Sequence, residues 1–588
     1  MNPLRVLALW LSLGAALLAS AEDDAAVFGP RSRDFVVNRK YLVFPINGRE
    51  WKAQLRLTVE GQEVQRYIAK LATSPEKAHT WLYLDIDAYR GKKATVSVGR
   101  VTEEGFALIQ QADKVPGQEK WYTEPMRPQF HFSQAVGWNN DVNGTVYYDG
   151  EWHLFFQHNP AGLKWDNMTW GHAVSKDLVH WQQLPSALYP YTMAKGMCWS
   201  GGANVDKQNT AGLKRGKEAP IVAFVTDSGA GGECLAYSND RGRTFTWYEG
   251  NPVLKHNGRD PKVIWYAYDQ RDTPLDETAK RLGGHWVMAV YDEAPEHGRN
   301  IAFYTSTDLK QWQEQSHLKG YYECSELFEL PVDGDPRNTR WVVFAGDARY
   351  AVGQFDGKTF TPEHEERHTL YHGPFYGSQL FSNSPDGRQI QIGWLNIDIH
   401  GHPFNQVFSF PYCLRLHTTS DGIRMFAEPV KEIETLRKNS QTLANQPLDD
   451  DESAEVETAG ELFDIRAIFE VGSAKKIGLE IGKQSVVYDV ETNHLGNAMV
   501  NIREDGREKG VATMKPVDGK VTLQVLVDRP MLEIIGNRGE VCVIKPKPHA
   551  KDHRVSSIRA FATGGEAELI KLEVHELNSI WPNSSAPR

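Results

Sequence analysis

The sequence contains, at positions 172–181, the stretch His172-Ala173-Val174-Ser175-Lys176-Asp177-Leu178-Val179-His180-Trp181. An apolar strand is followed there by a turn around Asp177 and by an aromatic residue that opens the next strand. Related stretches occur at 236–240, at 304–312 and, more weakly, at 352–360, and the key Asp recurs after 63, 68 and 48 positions. A strand, turn and aromatic residue repeated at such intervals predict a repetitive β architecture.

Each of the four stretches is preceded by another apolar segment, and a fifth such segment follows the last stretch. These five candidate second strands are 151–156, 221–224, 285–290, 341–344 and 389–394. Five β units in about 300 residues favour the blades of a β-propeller, because each blade is built from several strands. A β domain of several sheets without radial symmetry is the alternative. We expect the propeller to occupy residues 125–435.

Two further β regions flank the predicted propeller. A small N-terminal β domain is expected over 33–112, where strand-like alternation occurs, and a C-terminal β-sandwich is expected over 459–580. The polar run 438–458, which includes Asp449-Asp450-Asp451-Glu452, is interpreted as a solvated linker. The predicted fold class is therefore all-β, with a five-bladed propeller between the two smaller domains.

The first 21 residues have the pattern of an export signal. Arg5 precedes an apolar run over 6–18, and Ala19-Ser20-Ala21 fits the small-residue cleavage pattern. A retained anchor is the alternative, although the run is short for a membrane span. We expect residues 1–21 to be a cleaved signal, no membrane span after its removal, and a secreted or periplasmic location.

The overall charge and the cysteines exclude some classes of function. The 588 residues carry a net charge of −11, and the sequence shows no basic patch, so we expect no nucleic-acid partner. The five cysteines are scattered and have no metal-type spacing, and disulfides and buried free thiols both stay open. We expect neither a metal nor a cofactor, and the sequence does not indicate the oligomeric state.

Three acidic residues hold equivalent positions in the repeats: Asp141, Asp260 and Glu323 each stand near the start of the first strand of a unit. In a propeller this strand lines the central channel, so the three side chains are expected to converge at one mouth. Glycosidic cleavage needs one carboxylate that attacks the anomeric carbon and a second that protonates the leaving oxygen and then activates water. Spacing does not assign these roles, and for any one acid a plain turn residue is the alternative.

Short motifs surround the acids. They are Trp138-Asn139-Asn140-Asp141-Val142-Asn143-Gly144, Gly258-Arg259-Asp260-Pro261 and Glu323-Cys324, with Trp199-Ser200-Gly201-Gly202 between the first two. In order and spacing they resemble the motifs of glycoside hydrolase family 32, the invertase, inulinase and levanase family. The resemblance covers about 125–580 and implies a five-bladed propeller followed by a β-sandwich. The domain at 33–112 resembles the extra N-terminal β domain of some bacterial levanases.

The resemblance also implies roles. Asp141 would be the nucleophile, Glu323 the acid/base and Asp260 the stabiliser of the transition state. Family positions that bind fructose fall on Asn140, Gln157, Trp165, Ser200 and Arg259, and Trp394 is a further candidate for binding the sugar. The alternatives are a surface or strand-end polar residue for Gln157 and Arg259, and core packing for the two tryptophans.

The chain departs from the family pattern at several positions. Asn139, Val142 and Ser325 replace usual residues, and 372–377 replaces an Asp-Phe-Tyr-Ala segment, so that one carboxylate that contacts substrate in the family is absent. The resemblance implies a retaining, exo-acting hydrolase that releases fructose from levan or inulin. Alternatives are an invertase, a fructosyltransferase, a fructan-binding propeller without catalysis and, more distantly, a sialidase-like or arabinanase-like propeller.

Overall fold

The computed structural model describes residues 28–269, 272–496, 501–502, 508–509, 512–547 and 552–581. The predicted export signal at 1–21 lies outside these ranges. The described chain is almost entirely β, with two short α-helices, α1 (Glu103–Ala107) and α2 (Glu277–Leu282). Short 3₁₀ helices lie at Pro75–Lys77, Asp87–Tyr89, Gln118–Lys120 and Lys431–Leu436. Neither helix of the described part is long and apolar enough to cross a membrane.

The N-terminal region forms two small sheets, with strand orders β1-β6-β3-β4 and β5-β2-β7. Its side chains alternate between buried and exposed, as in β3, because one face of each sheet packs into a shared core. The strands are β1 (Gly29–Val36), β2 (Tyr41–Ile46), β3 (Lys52–Val59), β4 (Gln62–Lys70), β5 (Thr80–Asp85), β6 (Lys93–Val101) and β7 (Gln110–Ala112).

The first three blades of the propeller are antiparallel sheets of consecutive strands. Their middle strands are buried on both faces, since each blade packs between two others. The strands are β8 (Gly137–Tyr148), β9 (Glu151–Asn159), β10 (Thr169–Ser175), β11 (Trp181–Leu188), β12 (Ala203–Val205), β13 (Ile221–Asp227), β14 (Gly232–Ser238), β15 (Thr246–Trp247), β16 (Gly258–Ala267), β17 (Gly284–Asp292), β18 (Asn300–Ser306) and β19 (Gln313–Lys319).

The fourth and fifth blades are joined by one parallel pairing, between Val332 and Leu416. Their strands are β20 (Glu326–Val332), β21 (Asp335–Phe344), β22 (Arg349–Phe355), β23 (Phe360–Pro362), β24 (His368–Thr369), β25 (Tyr371–His372), β26 (Phe375–Leu380), β27 (Gln389–Leu395), β28 (Phe404–Asn405), β29 (Val407–Phe408), β30 (Tyr412–Thr419) and β31 (Gly422–Pro429). Of these, β25 leaves the propeller and pairs with Val541–Pro546, a strand of the C-terminal sandwich.

The ring closes where the fifth blade meets the first. Strand β28 adds to β8 in parallel, and the Thr145 hydroxyl on β8 donates to the carbonyl oxygen of Leu380 at 2.8 Å. The Ser382 amide donates to the carbonyl oxygen of Thr145 at 2.9 Å. The predicted all-β fold with a five-bladed propeller is confirmed, although the domain limits proposed from the sequence stay predictions.

The C-terminal sandwich stacks a seven-stranded sheet, which includes β25, on a six-stranded sheet. A separate core, made largely of aliphatic side chains, fills the space between them. Its strands are β32 (Arg437–Leu448), β33 (Ala454–Glu457), β34 (Phe463–Glu470), β35 (Lys476–Ile481), β36 (Gln484–Asp489), β37 (His494–Leu495), β38 (Asn501–Ile502), β39 (Glu508–Lys509), β40 (Ala512–Thr513), β41 (Lys520–Val527), β42 (Met531–Gly536), β43 (Val541–Pro546), β44 (Ser557–Thr563) and β45 (Ala567–Leu577). Strands β38 and β39 form a separate two-stranded sheet.

The interpretation of 438–458 as a linker is wrong outside 449–453, because strands β32 and β33 cover nearly all the rest of the range. Strand β32 runs through Arg437–Leu448 and pairs with β45 along its length. Its side chains are mostly exposed, because it is an edge strand whose stability comes from backbone hydrogen bonds. A polar sequence on such a strand lacks the apolar alternation that marks a half-buried one.

A buried ionic contact joins the sandwich to the propeller. Asp528, which follows β41, accepts the backbone amides of Gln129, Phe130 and His131 at 2.8–3.3 Å and contacts His131 Nδ1 at 2.8 Å. Burial lowers the pKa of His131, but the charges of Glu533 and Asp528 and their hydrogen bonds outweigh it and raise the pKa to about 9. His131 is therefore charged at neutral pH, and the pair fixes the start of the propeller on the sandwich.

Replacing Asp528 by Ala is expected to lower the free energy of unfolding by about 3–5 kcal/mol, because a charged His131 and three amides lose their partner inside the protein. Urea denaturation followed by circular dichroism measures this. Asp333→Ala is the matched control, since Asp333 also accepts an amide and lies near a histidine but is exposed. A loss for Asp528→Ala no larger than that of the control would contradict the proposed joint.

Candidate active site

The inner strands of the blades are irregular where they carry the acids. Asp141 lies in a bulge of β8, between paired residues Asn139 and Val142, and Asp260 lies in a bulge of β16. Glu323 lies just before β20. A bulge turns a side chain away from the alternation of the strand, so these acids are directed toward each other at one mouth of the channel.

Two of the acids have a strained backbone. The φ angles of Asp260, Glu323 and Cys324 are +64°, +50° and +42°, in the left-handed region that side chains with a Cβ rarely adopt. Such a conformation costs about 1–3 kcal/mol and persists only when its surroundings hold it. One such contact is the hydrogen bond from the Asp260 amide to the Thr226 hydroxyl, at 3.0 Å.

Asp141 has a polar partner on the second blade. The Ser200 hydroxyl donates to Asp141 Oδ2 at 2.7 Å. On the other side Gly377 approaches closely, because a Cβ built at that position would lie 2.3 Å from Asp141 Oδ1. Gly377 also has a φ of +48°, which glycine adopts without strain. Because Gly377 has no side chain, there is room beside it for the Asp141 carboxylate.

Asp260 is the most buried of the three acids, with 5% of its surface exposed. Its Oδ2 accepts the Cys324 amide at 3.2 Å and lies 3.7 Å from Cys324 Sγ. Burial raises the pKa of the Cys324 thiol well above its usual range, so this sulfur keeps its proton and acts as a donor. Cys324 thus links Asp260 to the segment that carries Glu323.

Glu323 is held by two donors on different blades. Arg259 donates to Oε1 through its Nε, at 3.0 Å, and through a terminal nitrogen, and the Tyr376 hydroxyl donates to Oε2 at 2.5 Å. The Glu323 side chain is 19% exposed, more than Asp260. One carboxyl group is therefore oriented by a guanidinium and a phenol while it still reaches the solvent side of the site.

Burial and neighbouring negative charges raise the pKa values of two of these carboxyl groups, Asp141 and Asp260. Burial raises the pKa of Asp141 to about 6, hydrogen bonds from Ser200, Asn140 and Cys324 oppose the rise, and the charge of Glu323 adds to it. For Asp260, burial and then the charges of Asp141 and Glu323 raise the pKa well above its usual range. Since the charge of Asp141 acts on Asp260, the protons that these two groups bind belong to the pair rather than to one residue.

Four of the six predicted binding residues contact the acids or their direct partners. Ser200 and Arg259 bond to the acids, and the Asn140 side chain bonds to Asp141. Trp394 packs edge-on against Tyr376, with 6.1 Å between the ring centres, and its Nε1 donates to Gln406 at 3.1 Å.

The other two candidates lie apart in the described structure. The buried Gln157 amide donates to the carbonyl oxygen of Cys198 at 3.0 Å, two residues before Ser200. Trp165 is 50% exposed on the loop between β9 and β10. Within the described ranges no hydrogen bond joins either residue to an acid, so their part in sugar binding stays a prediction.

The sequence analysis missed Tyr376 and Gly377 as site residues. Both belong to the segment 372–377, which had stood out only because it departs from the family pattern. Their strand, β26, is also bulged, between Tyr376 and Gln379. The departure from the family was the available signal, but the contact with Glu323 depends on the packing of the fifth blade on the fourth, and the contact with Asp141 on the closure of the ring.

In the part of the chain that the structure describes, no cluster of three or more His, Cys, Asp and Glu residues could hold a metal ion. The site consists of three carboxyl groups at one end of a propeller, with donors placed on two of them. Such a set of carboxyl groups is typical of proteins that cleave glycosidic bonds.

Comparisons with known proteins agree with this class. Residues 131–429 match the profile of the glycosyl hydrolases family 32 N-terminal domain, and 432–576 match that of the family's C-terminal domain. The levanase of Bacillus subtilis (strain 168) is 37% identical over 513 residues, which cover 78% of this chain and 72% of that protein. The chain belongs to glycoside hydrolase family 32, and it is a glycoside hydrolase.

The chain is also similar to an exo-inulinase and to a β-fructofuranosidase. The extracellular exo-inulinase of Aspergillus awamori is 29% identical over 549 residues, which cover 78% of this chain and 96% of that enzyme. The crystal structure of exo-inulinase from A. awamori superposes with a TM-score of 0.66 at 26% identity, over 78% of this chain and 100% of that one. A Bombyx mori β-fructofuranosidase in complex with sucrose superposes with a TM-score of 0.59 at 25% identity, over 79% and 97%.

Removing the Tyr376 hydroxyl is expected to impair turnover. In Tyr376→Phe, Glu323 Oε2 loses its donor, and a hydrogen bond to a charged group is worth about 1.5–3 kcal/mol, so kcat/KM should fall about tenfold or more. Steady-state kinetics on sucrose and on fructan measure this. Tyr371→Phe is the control from the same segment, because the buried Tyr371 hydroxyl has no partner in the described structure. Equal activity of the two variants would contradict the role given to the Tyr376 hydroxyl.

Proposed function

We propose that this protein is a retaining, exo-acting hydrolase that releases fructose from β-fructans such as levan and inulin. The observation that carries the proposal is the connected set of acids, in which Ser200 binds Asp141, Arg259 and Tyr376 hold Glu323, and Asp260 lies close enough for its pKa to respond to both other charges. The levanase and exo-inulinase relatives support a fructan as the substrate.

Asp141 is the proposed nucleophile. It must be ionised to attack the anomeric carbon, and the Ser200 and Asn140 hydrogen bonds favour the ionised form. These bonds also fix the carboxylate, so that little reorganisation is needed when the fructosyl–enzyme bond forms. Water then attacks the anomeric carbon from the face that the leaving group had occupied, opposite Asp141. The two inversions together retain the configuration.

Glu323 is the proposed acid/base, because it is held by donors and yet stays accessible to a leaving group. It protonates the glycosidic oxygen in the first step and removes a proton from water in the second. Arg259 stabilises the negative charge that Glu323 gains between these steps. Buried Asp260 is the proposed stabiliser, which binds fructose hydroxyls as the ring distorts.

Around the acids, Asn140, Trp165, Ser200, Arg259 and Trp394 are proposed to bind the sugar, and Gln157 to support them. The aromatic faces of the two tryptophans suit the apolar faces of fructose rings. Sucrose is a second candidate substrate, favoured by the superposition on the Bombyx mori enzyme that binds it. We also propose export from the cell, supported by the signal-like residues 1–21 and by the extracellular exo-inulinase relative.

Replacing Asp141 or Glu323 by Ala is expected to abolish fructan hydrolysis, with kcat lower by about 10³-fold or more, because each step of the double displacement loses its reacting group. Levan, inulin and sucrose are supplied to the wild type and to both variants, and products are followed by chromatography. Exo action requires free fructose from the first time point. Full activity in both variants, or a ladder of oligosaccharides as the first products, would sink the corresponding part of the proposal.

Replacing Ser200 by Ala is expected to shift the acidic limb of the kcat/KM profile to higher pH. Asp141 loses a hydrogen bond that favours its ionised form, so its pKa rises further above about 6, and activity at a given acidic pH falls. Profiles between about pH 4 and pH 8, roughly two units on each side of a pKa of about 6, measure this. In the control Ser325→Ala, the lost hydroxyl donated to the Ala289 carbonyl, so the limb should stay in place. A limb that moves equally in both variants would argue against the assignment.

A further inference from the structure

We propose that the N-terminal β region positions the loop that carries Trp165, with Asn167 as the residue that couples the two. The loop spans 160–168, between β9 and β10 of the first blade. This inference rests on the proposed function only in giving Trp165 a role in sugar binding, since the contacts themselves are independent of it. It assigns to the N-terminal region a part in substrate recognition rather than a separate activity.

The first observation is a pair of hydrogen bonds at the edge of the N-terminal sheet. Strand β4 is the last strand of the order β1-β6-β3-β4, so the outward backbone groups of Ile68 have no strand to pair with. Asn167 Oδ1 accepts the Ile68 amide at 2.7 Å, and Asn167 Nδ2 donates to the Ile68 carbonyl oxygen at 2.8 Å. One side-chain amide thus replaces a neighbouring strand at this edge.

The second observation is how firmly Asn167 itself is placed. It is fully buried and has a φ of +46°, a conformation that Asn tolerates better than most residues. Its Nδ2 also lies 3.2 Å from Asn159 Oδ1 at the end of β9, and its carbonyl oxygen accepts the Thr169 hydroxyl at 2.8 Å. Asn167 is therefore fixed to the blade on one side and to the N-terminal region on the other.

Further contacts of the loop point the same way. Lys52 on β3 pairs with Asp166 at 2.6 Å, and Ala161 packs into the core of the N-terminal region. On the opposite side, Asn159 donates to the carbonyl oxygen of Lys164 at 2.8 Å, and Asn405 donates to that of Leu163 at 3.2 Å. The backbone on both sides of Trp165 is held, while its side chain is left half exposed.

An exposed aromatic side chain binds a sugar more tightly when its orientation is set in advance, because ordering it during binding costs conformational entropy. The contacts with the N-terminal region supply this order. Loosening these contacts weakens the binding of the substrate and of the transition state by the same amount. KM therefore rises, and kcat stays nearly unchanged.

The experiment uses the full-length protein and the variant Asn167→Gly. Glycine keeps the positive φ and removes both bonds to Ile68. The matched control is Asn251→Ala in the second blade, where the Asn251 amide makes the same pair of bonds to Leu235, at 2.7 and 2.9 Å. We expect KM for inulin-type oligosaccharides to rise about fivefold in Asn167→Gly with kcat changed less than about twofold, and both constants to stay near the wild type in the control.

Two readouts separate positioning from general destabilisation. Hydrogen exchange of 160–168 should be faster in Asn167→Gly than in the wild type and unchanged in Asn251→Ala. In the background Trp165→Ala, adding Asn167→Gly should give no further rise in KM, since the residue through which Asn167 acts is gone. An additive rise, or unchanged exchange and KM in Asn167→Gly, overturns the inference.

Asn167→Asp serves if the glycine variant does not fold. It keeps an acceptor for the Ile68 amide but loses the donor to the Ile68 carbonyl, so an exchange rate and a KM that match the wild type would also overturn the inference. If the wild type releases no fructose from fructan or sucrose, the proposed function fails. The exchange measurement still tests the positioning of the loop in that case.

Discussion

The burial of neighbouring carboxyl groups, with the repulsion among Asp141, Asp260 and Glu323, is the constraint on which the site depends. Burial, and after it the neighbouring negative charges, raise the pKa of Asp141 to about 6 and that of Asp260 well above its usual range. Donors from other blades offset the repulsion, and Arg259 is the one that carries a full positive charge. Closely spaced carboxyl groups and a stable fold coexist here because each acid has at least one hydrogen-bond partner from another blade.

The propeller supplies these partners through irregular inner strands. Bulges at Asp141, Asp260 and Gly377 turn side chains or backbone into the channel, and positive φ angles at Asp260 and Glu323 add strain. Strain of this kind needs a rigid surround. Ring closure through β28 and the buried pair of His131 with Asp528 provide it, since they fix the first blade on the fifth blade and on the sandwich.

A contact of a different kind joins the N-terminal region to the first blade. Its edge strand β4 is covered by the Asn167 amide, and the covering residue belongs to the loop of Trp165. A bare strand edge is a liability for a β protein, and this one is covered by a loop of the catalytic domain. The contact of Asn167 with Ile68 therefore protects the strand edge, and we propose that it also positions Trp165.

The sequence by itself indicated the all-β class and the repeated β units, because alternation and turn residues are local signals that survive without tertiary contacts. Its repeats and motifs also pointed to the three acids that the fold brings together. It did not determine that polar Arg437–Leu448 is an edge strand, which depends on the backbone groups of β45. Nor did it determine that Tyr376 reaches Glu323, that Gly377 makes room for Asp141, or that Asn167 binds Ile68. Those contacts join residues 53, 236 and 99 positions apart, and only the packing of the blades, the closure of the ring and the docking of the N-terminal region bring them together.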